Sequence, residues 1–265
     1  MKRTTILFAC ALVLALASLT TVRAAEEGIK QGKATVRSVH GTVEYQAVAN
    51  GVWMPVKPNM KFTAGVTIRT GPDGVADISV NGTASAVRLT NSTVLEIPTM
   101  SYVGNARDGD TTTMLNLQSG SVIGNVKKIT ANSRYEIMSP HGVAGIRGTD
   151  FSVEAIPTSE GNFKVTFSSI TGVITVSAVI NGITVTHTLT TGTSWQIGDN
   201  VKQMRADIIQ NYQSQIVGLV QSIAPGATIG TPIPGGGNGN GNGNGPTPIN
   251  TVVPPTSSPG GAGSS

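Results

Sequence analysis

Val173-Ile174-Thr175-Val176-Ser177-Ala178-Val179-Ile180 runs into Asn181-Gly182 and out through Ile183-Thr184-Val185-Thr186-His187-Thr188-Leu189. Two runs of mostly alternating apolar and polar residues meet at a dipeptide that tolerates positive φ, which is the strongest short-range signal for a β-hairpin. The β-branched residues agree, because they lose χ1 freedom in a helix and fit a pleated surface. Outward from this hairpin the same grammar repeats. Thr70-Gly71-Pro72-Asp73-Gly74 is a turn cluster, Asn81-Gly82 is a second hairpin dipeptide, and between them Val75-Ala76-Asp77-Ile78-Ser79-Val80 partly alternates. From about Gly32 to Ile197, turn signals recur every eight to twelve residues, a spacing of short-strand all-β domains.

The whole-chain balance fits that reading. Of 265 residues, 38% are hydrophobic, 4% aromatic and 12% charged, with 33 Gly and 14 Pro. The charged fraction is about half the roughly 25% of an ordinary soluble domain. This profile argues against a helical bundle, a coiled coil or a doubly wound α/β enzyme. The formal charge of +4 comes largely from the first 24 residues, which hold Lys2, Arg3 and Arg23 among the 18 basic residues. Without them 15 basic residues face 14 acidic ones, and no basic footprint for nucleic acid remains.

Residues 1–24 have the form of a secretory signal: a charged start at Lys2-Arg3, an apolar core from Ile6 to Leu19, and small residues at Val22-Arg23-Ala24. The core is shorter than the roughly 20 residues of a membrane-spanning helix, so cleavage after Ala24 or Ala25 is expected and no membrane span remains after it. Cys10 is the single cysteine, so the mature chain would have no disulfide, thiolate nucleophile or thiolate metal site. An extracytoplasmic location, secreted or periplasmic, follows.

Beyond the β region the period changes. Val201, Met204, Ile208, Tyr212, Ile216, Leu219 and Ile223 recur at three or four residues, predicting one amphipathic helix over 199–224, with Asp199 as N-cap and Pro225-Gly226 as its stop. Its apolar stripe is expected to pack on the β domain. Residues 225–265 contain no charge and include a pure Asn-Gly alternation from Asn238 to Gly245, so a flexible tail is expected.

The densest motif is Ser139-Pro140-His141-Gly142-Val143-Ala144-Gly145-Ile146-Arg147-Gly148-Thr149-Asp150-Phe151. Its glycines do not make a phosphate loop, because Phe151-Ser152-Val153-Glu154 continues as a strand where a phosphate loop feeds a helix N-terminus. Glycines at this density predict positive φ or close backbone approach at Gly145 and Gly148. Arg147 is expected chiefly to tie turn carbonyls together with its five donors, with an anion or carboxylate ligand role as the alternative, and Asp150 to pair with it or to bind a substrate hydroxyl.

This motif resembles the core of the FecR domain, a family of bacterial periplasmic regulators, through Pro140, Ala144, Arg147-Gly148-Thr149 and Phe151. Val39-x-Gly41-x-Val43, Trp53-x-Pro55-Val56, Gly65-Val66-x-Ile68-x-Thr70-Gly71 with Gly74-x-Ala76-x-Ile78, Leu115-x-Leu117-x-x-Gly120-x-Val122 and Leu189-x-x-Gly192 fit its flanking pattern. The resemblance spans roughly Val36 to Ile197. It implies an all-β domain of short strands, solenoid-like or sandwich-like, occupying residues 32–197. It also implies a chiefly structural role for the motif residues Pro140, Ala144, Gly145, Arg147, Gly148, Thr149 and Phe151. Full-length members relay a signal from an outer-membrane transporter to a sigma factor. Only Met1-Lys2-Arg3 precede the apolar leader here, so no sigma-binding arm is expected and a free secreted module is the primary reading.

No catalytic pattern competes. His40, His141 and His187 lack metal spacing. A triad drawn from His141, Asp150 and a serine lacks the nucleophile elbow. Asp108 and Asp110 are too few for calcium. Trp53 and Trp195 suit a core better than a sugar platform, and Asn81-Gly82-Thr83 and Asn91-Ser92-Thr93 are weak glycosylation acceptors. The expectation is a non-enzymatic module without cofactor that binds a protein or an envelope polysaccharide. The alternative is a periplasmic signalling component working with a TonB-dependent transporter and a separate sigma-factor regulator.

Overall fold

The computed structural model describes residues 28–80, 85–105, 109–127 and 129–225. The leader, Cys10, the Asn81-Gly82 hairpin dipeptide, its glycosylation acceptor, Asp108 and the tail from Gly226 lie outside the described residues. Strands dominate, and one helix follows them, as an all-β reading requires.

The strands fall into two sheets that share one strand. The chain begins with β1 (Lys30–Gln31), β2 (Ala34–His40), β3 (Val43–Gln46), β4 (Met54–Pro55), β5 (Lys61–Phe62) and β6 (Val66–Thr70). It continues through β7 (Val75–Val80), β8 (Ser85–Leu89), β9 (Val94–Val103) and the long β10 (Asp110–Val126). The second half holds β11 (Arg134–Met138), β12 (Gly142–Ile146), β13 (Thr149–Pro157) and β14 (Phe163–Thr171). Last come β15 (Ile174–Ile180), β16 (Ile183–Leu189), β17 (Thr193–Gln196), β18 (Val201–Gln203) and the helix α1 (Ala206–Ile223).

The first sheet runs β4-β3-β6-β9-β10-β11-β12-β15-β16, with β1 pairing further along β9. The second runs β5-β2-β7-β8-β10-β13-β14-β17-β18. Among the described residues only the β10–β11 pairing is parallel. β10 belongs to the first sheet up to Ser119 and to the second from Gly120. Gly120 has φ +90°, and a Cβ there would lie 2.4 Å from the Thr93 Cα, so only glycine lets the strand bend against its neighbour.

Side chains alternate across both sheets, and the inner rows close one core. Ile68, Leu95, Leu117, Ile137, Ala144 and Val176 line the first sheet, while Ile78, Leu89, Phe151, Val153, Phe167 and Trp195 line the second. The hairpin expected around Asn181-Gly182 forms, with Ile174 opposite Leu189, Ile180 opposite Ile183, and φ of +51° and +79° at the turn.

The helix differs from expectation at its start. It begins at Ala206, with Arg205 at the N-cap and no side-chain cap, not at 199 with Asp199. Val201–Gln203 pair instead with β17 as β18, so strand pairing takes the residues that helical spacing alone would have assigned to the first turn. Asp199 accepts from the Asn200 amide at 2.8 Å and from the Lys202 ammonium, which shapes the β17–β18 turn. The buried stripe shifts accordingly. Ile208 is 39% exposed and Val201 is exposed, while Ile209 packs inward with Tyr212 and Ile216. α1 covers the outer face of the second sheet, where Ile123 and Ile170 meet Ile216, and Ala86 meets Leu219 and Ile223. Ile170 reaches this face because a bulge skips it between Asp150–Thr171 and Phe151–Ser169.

Candidate interaction site

Where the chain crosses between the sheets, threonine hydroxyls fasten the crossings. Thr70 Oγ1 donates to the Thr90 carbonyl at 2.6 Å and accepts the Thr93 amide at 2.9 Å. Thr93 Oγ1 in turn accepts the Ser121 amide at 3.0 Å, next to the Gly120 bend. The Arg147-Gly148-Thr149 crossing from β12 to β13 is built the same way. Gly148 has φ +64°, and Thr149, 1% exposed, turns its hydroxyl to the carbonyls of Arg147 and Val173, each 3.1 Å away. Beside it, the Gly172 amide donates to Thr191 Oγ1 at 3.0 Å and Ser169 Oγ donates to the Gly172 carbonyl at 3.0 Å. Threonine suits these positions because one short side chain can satisfy backbone groups that a crossing removes from the ladders.

The other motif residues divide between core, turn and surface. Ala144 and Phe151 are fully buried, on opposite sheets. The Phe151 ring lies across Gly124 and 6.5 Å from the Tyr135 ring. Pro140 sits in the β11–β12 turn, which is closed by the Ser139 amide to the Gly142 carbonyl at 2.8 Å and by the Ser139 hydroxyl to the same carbonyl at 2.9 Å.

Three expectations for this motif are overturned. Gly145 has no positive φ, and a Cβ there would meet nothing nearer than the Thr175 carbonyl at 3.9 Å; it lies exposed on the outer face of β12, so neither strain nor crowding demands glycine. The Arg147 side chain is exposed and its guanidinium makes no hydrogen bond to a described residue, so it does not tie turn carbonyls. Asp150 does not pair with Arg147. Its carboxylate accepts from Asn125 Nδ2 at 2.6 Å and Thr171 Oγ1 at 2.7 Å on the second sheet. The motif shows which residues share a crossing, and alternation along β12 decides which of them point to solvent.

Among the described residues no element covers the outer face of the first sheet, in contrast to the helix-covered second sheet. On β12 and β15 it presents Val143, Gly145, Thr175, Ser177 and Val179. Ile146 pairs with Ile174, so one step further Arg147 stands opposite Val173, which is 50% exposed. On the other side, the Glu136–Gly145 register brings Arg134 toward Arg147. Arg134 is held by Glu136 at 2.5 Å, which raises the guanidinium pKa above its ordinary value, and Arg147 makes no ion pair among the described residues. Further along, a shallow cleft of about 430 Å³ is lined by His141, Val143, Ser177 and Val179. At the far end of the sheet, Arg69 stacks on Trp53 at 4.1 Å while bridging to Glu44 at 2.7 Å. Sequence reading missed Val173, Thr175 and Val179 as surface residues, although the hairpin alternation that fixed the strands also placed them on one face.

The remaining candidates are not gathered. His40 and His141 are exposed, and His187 packs edge-on against the buried Trp195 at 4.4 Å. Trp195 donates Nε1 to the Asp199 carbonyl at 2.9 Å. Asp110 accepts from Thr130 and Asn132, which holds its carboxyl below the usual range. Among the described residues no cluster of three or more His, Cys, Asp or Glu side chains could hold a metal ion. No described helix is long and apolar enough to cross a membrane.

Comparison with known families matches residues 66–169, β6 through most of β14, to the family model described as FecR protein. Curated protein sequences give no match. Two crystal structures of a candidate anti-sigma factor from Parabacteroides distasonis ATCC 8503 are similar, with TM-scores of 0.43 and 0.42 at 15% and 14% identity. Each covers 56% of this chain, and this chain spans 64% and 63% of theirs, under two thirds of their length.

Proposed function

We propose, from the premise that this chain carries a FecR domain, that it is a signalling-related envelope module, regulatory rather than catalytic, which binds a protein partner. The docking surface is the outer face of the first sheet around Arg147. The observation that carries this reading is the exposed Arg147, unbonded among the described residues, beside exposed Val173 on a sheet face that no described element covers. A guanidinium next to an apolar patch suits a protein surface that offers a carboxylate and a hydrophobic side chain, the pairing that anchors protein interfaces. Polysaccharide is the weaker reading, because sugar binding uses free aromatic platforms and the Trp53 ring already stacks on Arg69. An extracytoplasmic site of action fits the leader and the family.

The test is a photo-crosslinking side chain placed at Thr175, with a control at Gln213 on α1, in protein expressed in its own envelope. The Thr175 position should capture a discrete protein, and Arg147→Glu should abolish that capture while the domain melts as wild type. Capture that survives Arg147→Glu, or that is equal at Gln213, overturns the assignment.

A further inference from the structure

Sheet edges are places where a chain defends itself against pairing with another, and here the defence is uneven. β1, β4, β5 and β18 are two or three residues long, and each carries a lysine or proline: Lys30, Pro55, Lys61 and Lys202. These are the usual devices that blunt an edge. β16 ends the first sheet with seven residues, Ile183–Leu189, and has none of them. It contains no charge, no proline and no glycine, it has no bulge, and its ladder runs unbroken along β15. Among the described residues nothing pairs with its other side.

The strand is also held firmly enough to act as a template. Leu189 is fully buried, Val185 packs on the core, and His187 rests on the Trp195 ring. In a two-residue hairpin the pair flanking the turn exchanges hydrogen bonds, and bonded and non-bonded pairs alternate from there. Ile183, Val185, His187 and Leu189 therefore bond inward to β15, and Thr184, Thr186 and Thr188 direct their N–H and C=O groups outward.

We propose that two copies of this chain pair antiparallel through β16, with the two-fold axis at Thr186. The sequence is complementary to itself in that register. Thr186 faces Thr186 of the partner subunit, Thr184 faces Thr188 of the partner subunit, and the outward backbone groups meet as hydrogen-bonded pairs. Val185 then lies opposite His187 of the partner subunit, and Ile183 opposite Leu189 of the partner subunit. Facing threonines are a favourable cross-strand pair, and the strand brings no like charges together. The same patch on both copies makes a closed, isologous contact, so pairing stops at a dimer. The outer face around Arg147 stays open and becomes one surface continuous across both subunits.

The experiment uses the full chain without its leader, measured by sedimentation equilibrium with thermal melts as the folding control. Thr186 is exposed, and its hydroxyl contacts only Ser177, at 2.9 Å, so charged substitutions there are compatible with folding. Wild type should show a reversible monomer–dimer equilibrium. Thr186→Lys and Thr186→Glu, each alone, should weaken it by at least about tenfold, because like charges face each other across the axis. An equimolar mixture of the two variants should restore the dimer. Monomeric wild type overturns the proposal, as do charged variants that dimerise like wild type, or a mixture that dimerises no better than its components.

Discussion

Phe151 lies across Gly124. The two residues face each other in the β10–β13 ladder, and a Cβ built on Gly124 would sit 2.2 Å from the Phe151 Cζ. The ring is fully buried, so it takes the volume that a side chain at position 124 would otherwise occupy. The aromatic position of the Arg-Gly-Thr motif is therefore one half of a pair whose other half is a glycine 27 residues upstream. This pair helps to fasten the shared strand β10 to β13.

Gly124→Ala should destabilise the domain by about 1–3 kcal/mol, the range for overpacking a filled core. Phe151→Ala should cost about 3–5 kcal/mol through lost burial and a cavity. Combining Gly124→Ala with Phe151→Leu should cost less than the sum of the two single changes, because the smaller side chain vacates the space the methyl needs. Urea denaturation of wild type, Gly124→Ala, Phe151→Leu and their combination reads the coupling. Strict additivity would show that the two sites do not share that space.

The glycines of the motif should separate cleanly. Gly148 sits at φ +64°, so Gly148→Ala should cost about 1–2 kcal/mol and Gly148→Val more. Gly145→Ala adds a methyl to an open strand face and should stay within about 0.5 kcal/mol of wild type. Thermal melts of the three variants are sufficient. Equal losses at both positions would mean that Gly145 is crowded in a way its surroundings do not show.

Local features were legible in the sequence. The β15–β16 hairpin was readable because its turn chemistry and alternation lie within one short segment, and the Thr70–Gly74 turn for the same reason. The helix start was not, because Val201 and Met204 satisfy helical spacing while the Val201–Gln203 segment finds a better partner in β17. Arg147 was misjudged because a motif does not reveal whether its arginine turns inward to carbonyls or outward to solvent. The Gly124–Phe151 contact and the edge at β16 depend on which strands become neighbours, and one sequence does not state that.

The helix is tied to the second sheet by an ion pair that sequence gave no reason to single out. Asp77, 2% exposed, is bound by Arg88 through Nε at 2.7 Å and Nη2 at 2.9 Å, and Arg88 Nη1 reaches the Gln215 carbonyl on α1 at 3.3 Å. The carboxylate raises the pKa of the Arg88 guanidinium. Arg88→Met should cost about 3 kcal/mol, since it strands a buried charge. Adding Asp77→Leu should recover most of that loss, because an apolar pair of similar volume removes the stranded carboxylate. Equilibrium denaturation of single and double variants decides it, and a double variant as unstable as Arg88→Met would refute the account.

Tyr212 gives the docked helix a dependence on alkaline pH. Its hydroxyl donates to Glu154 Oε1 at 2.8 Å beside a cleft of about 470 Å³ between α1 and the second sheet. Burial, reinforced by the Glu154 charge, pushes its pKa up to about 12. In the unfolded chain a tyrosine titrates near about 10. Between these values the unfolded chain has released the proton and the folded one has kept it, so folding weakens as pH rises. The contribution is whole below about pH 10 and is lost as pH climbs towards about 12. Burial raises Tyr135 in the same direction, so part of the alkaline loss belongs to the core. Tyr212→Phe should therefore flatten, without abolishing, the fall in stability over this window, and at neutral pH it should cost about 1 kcal/mol for the lost hydrogen bond. Urea midpoints for both proteins at pH 8, 10 and 11 provide the measurement. Parallel pH profiles would show that Tyr212 does not carry the titration.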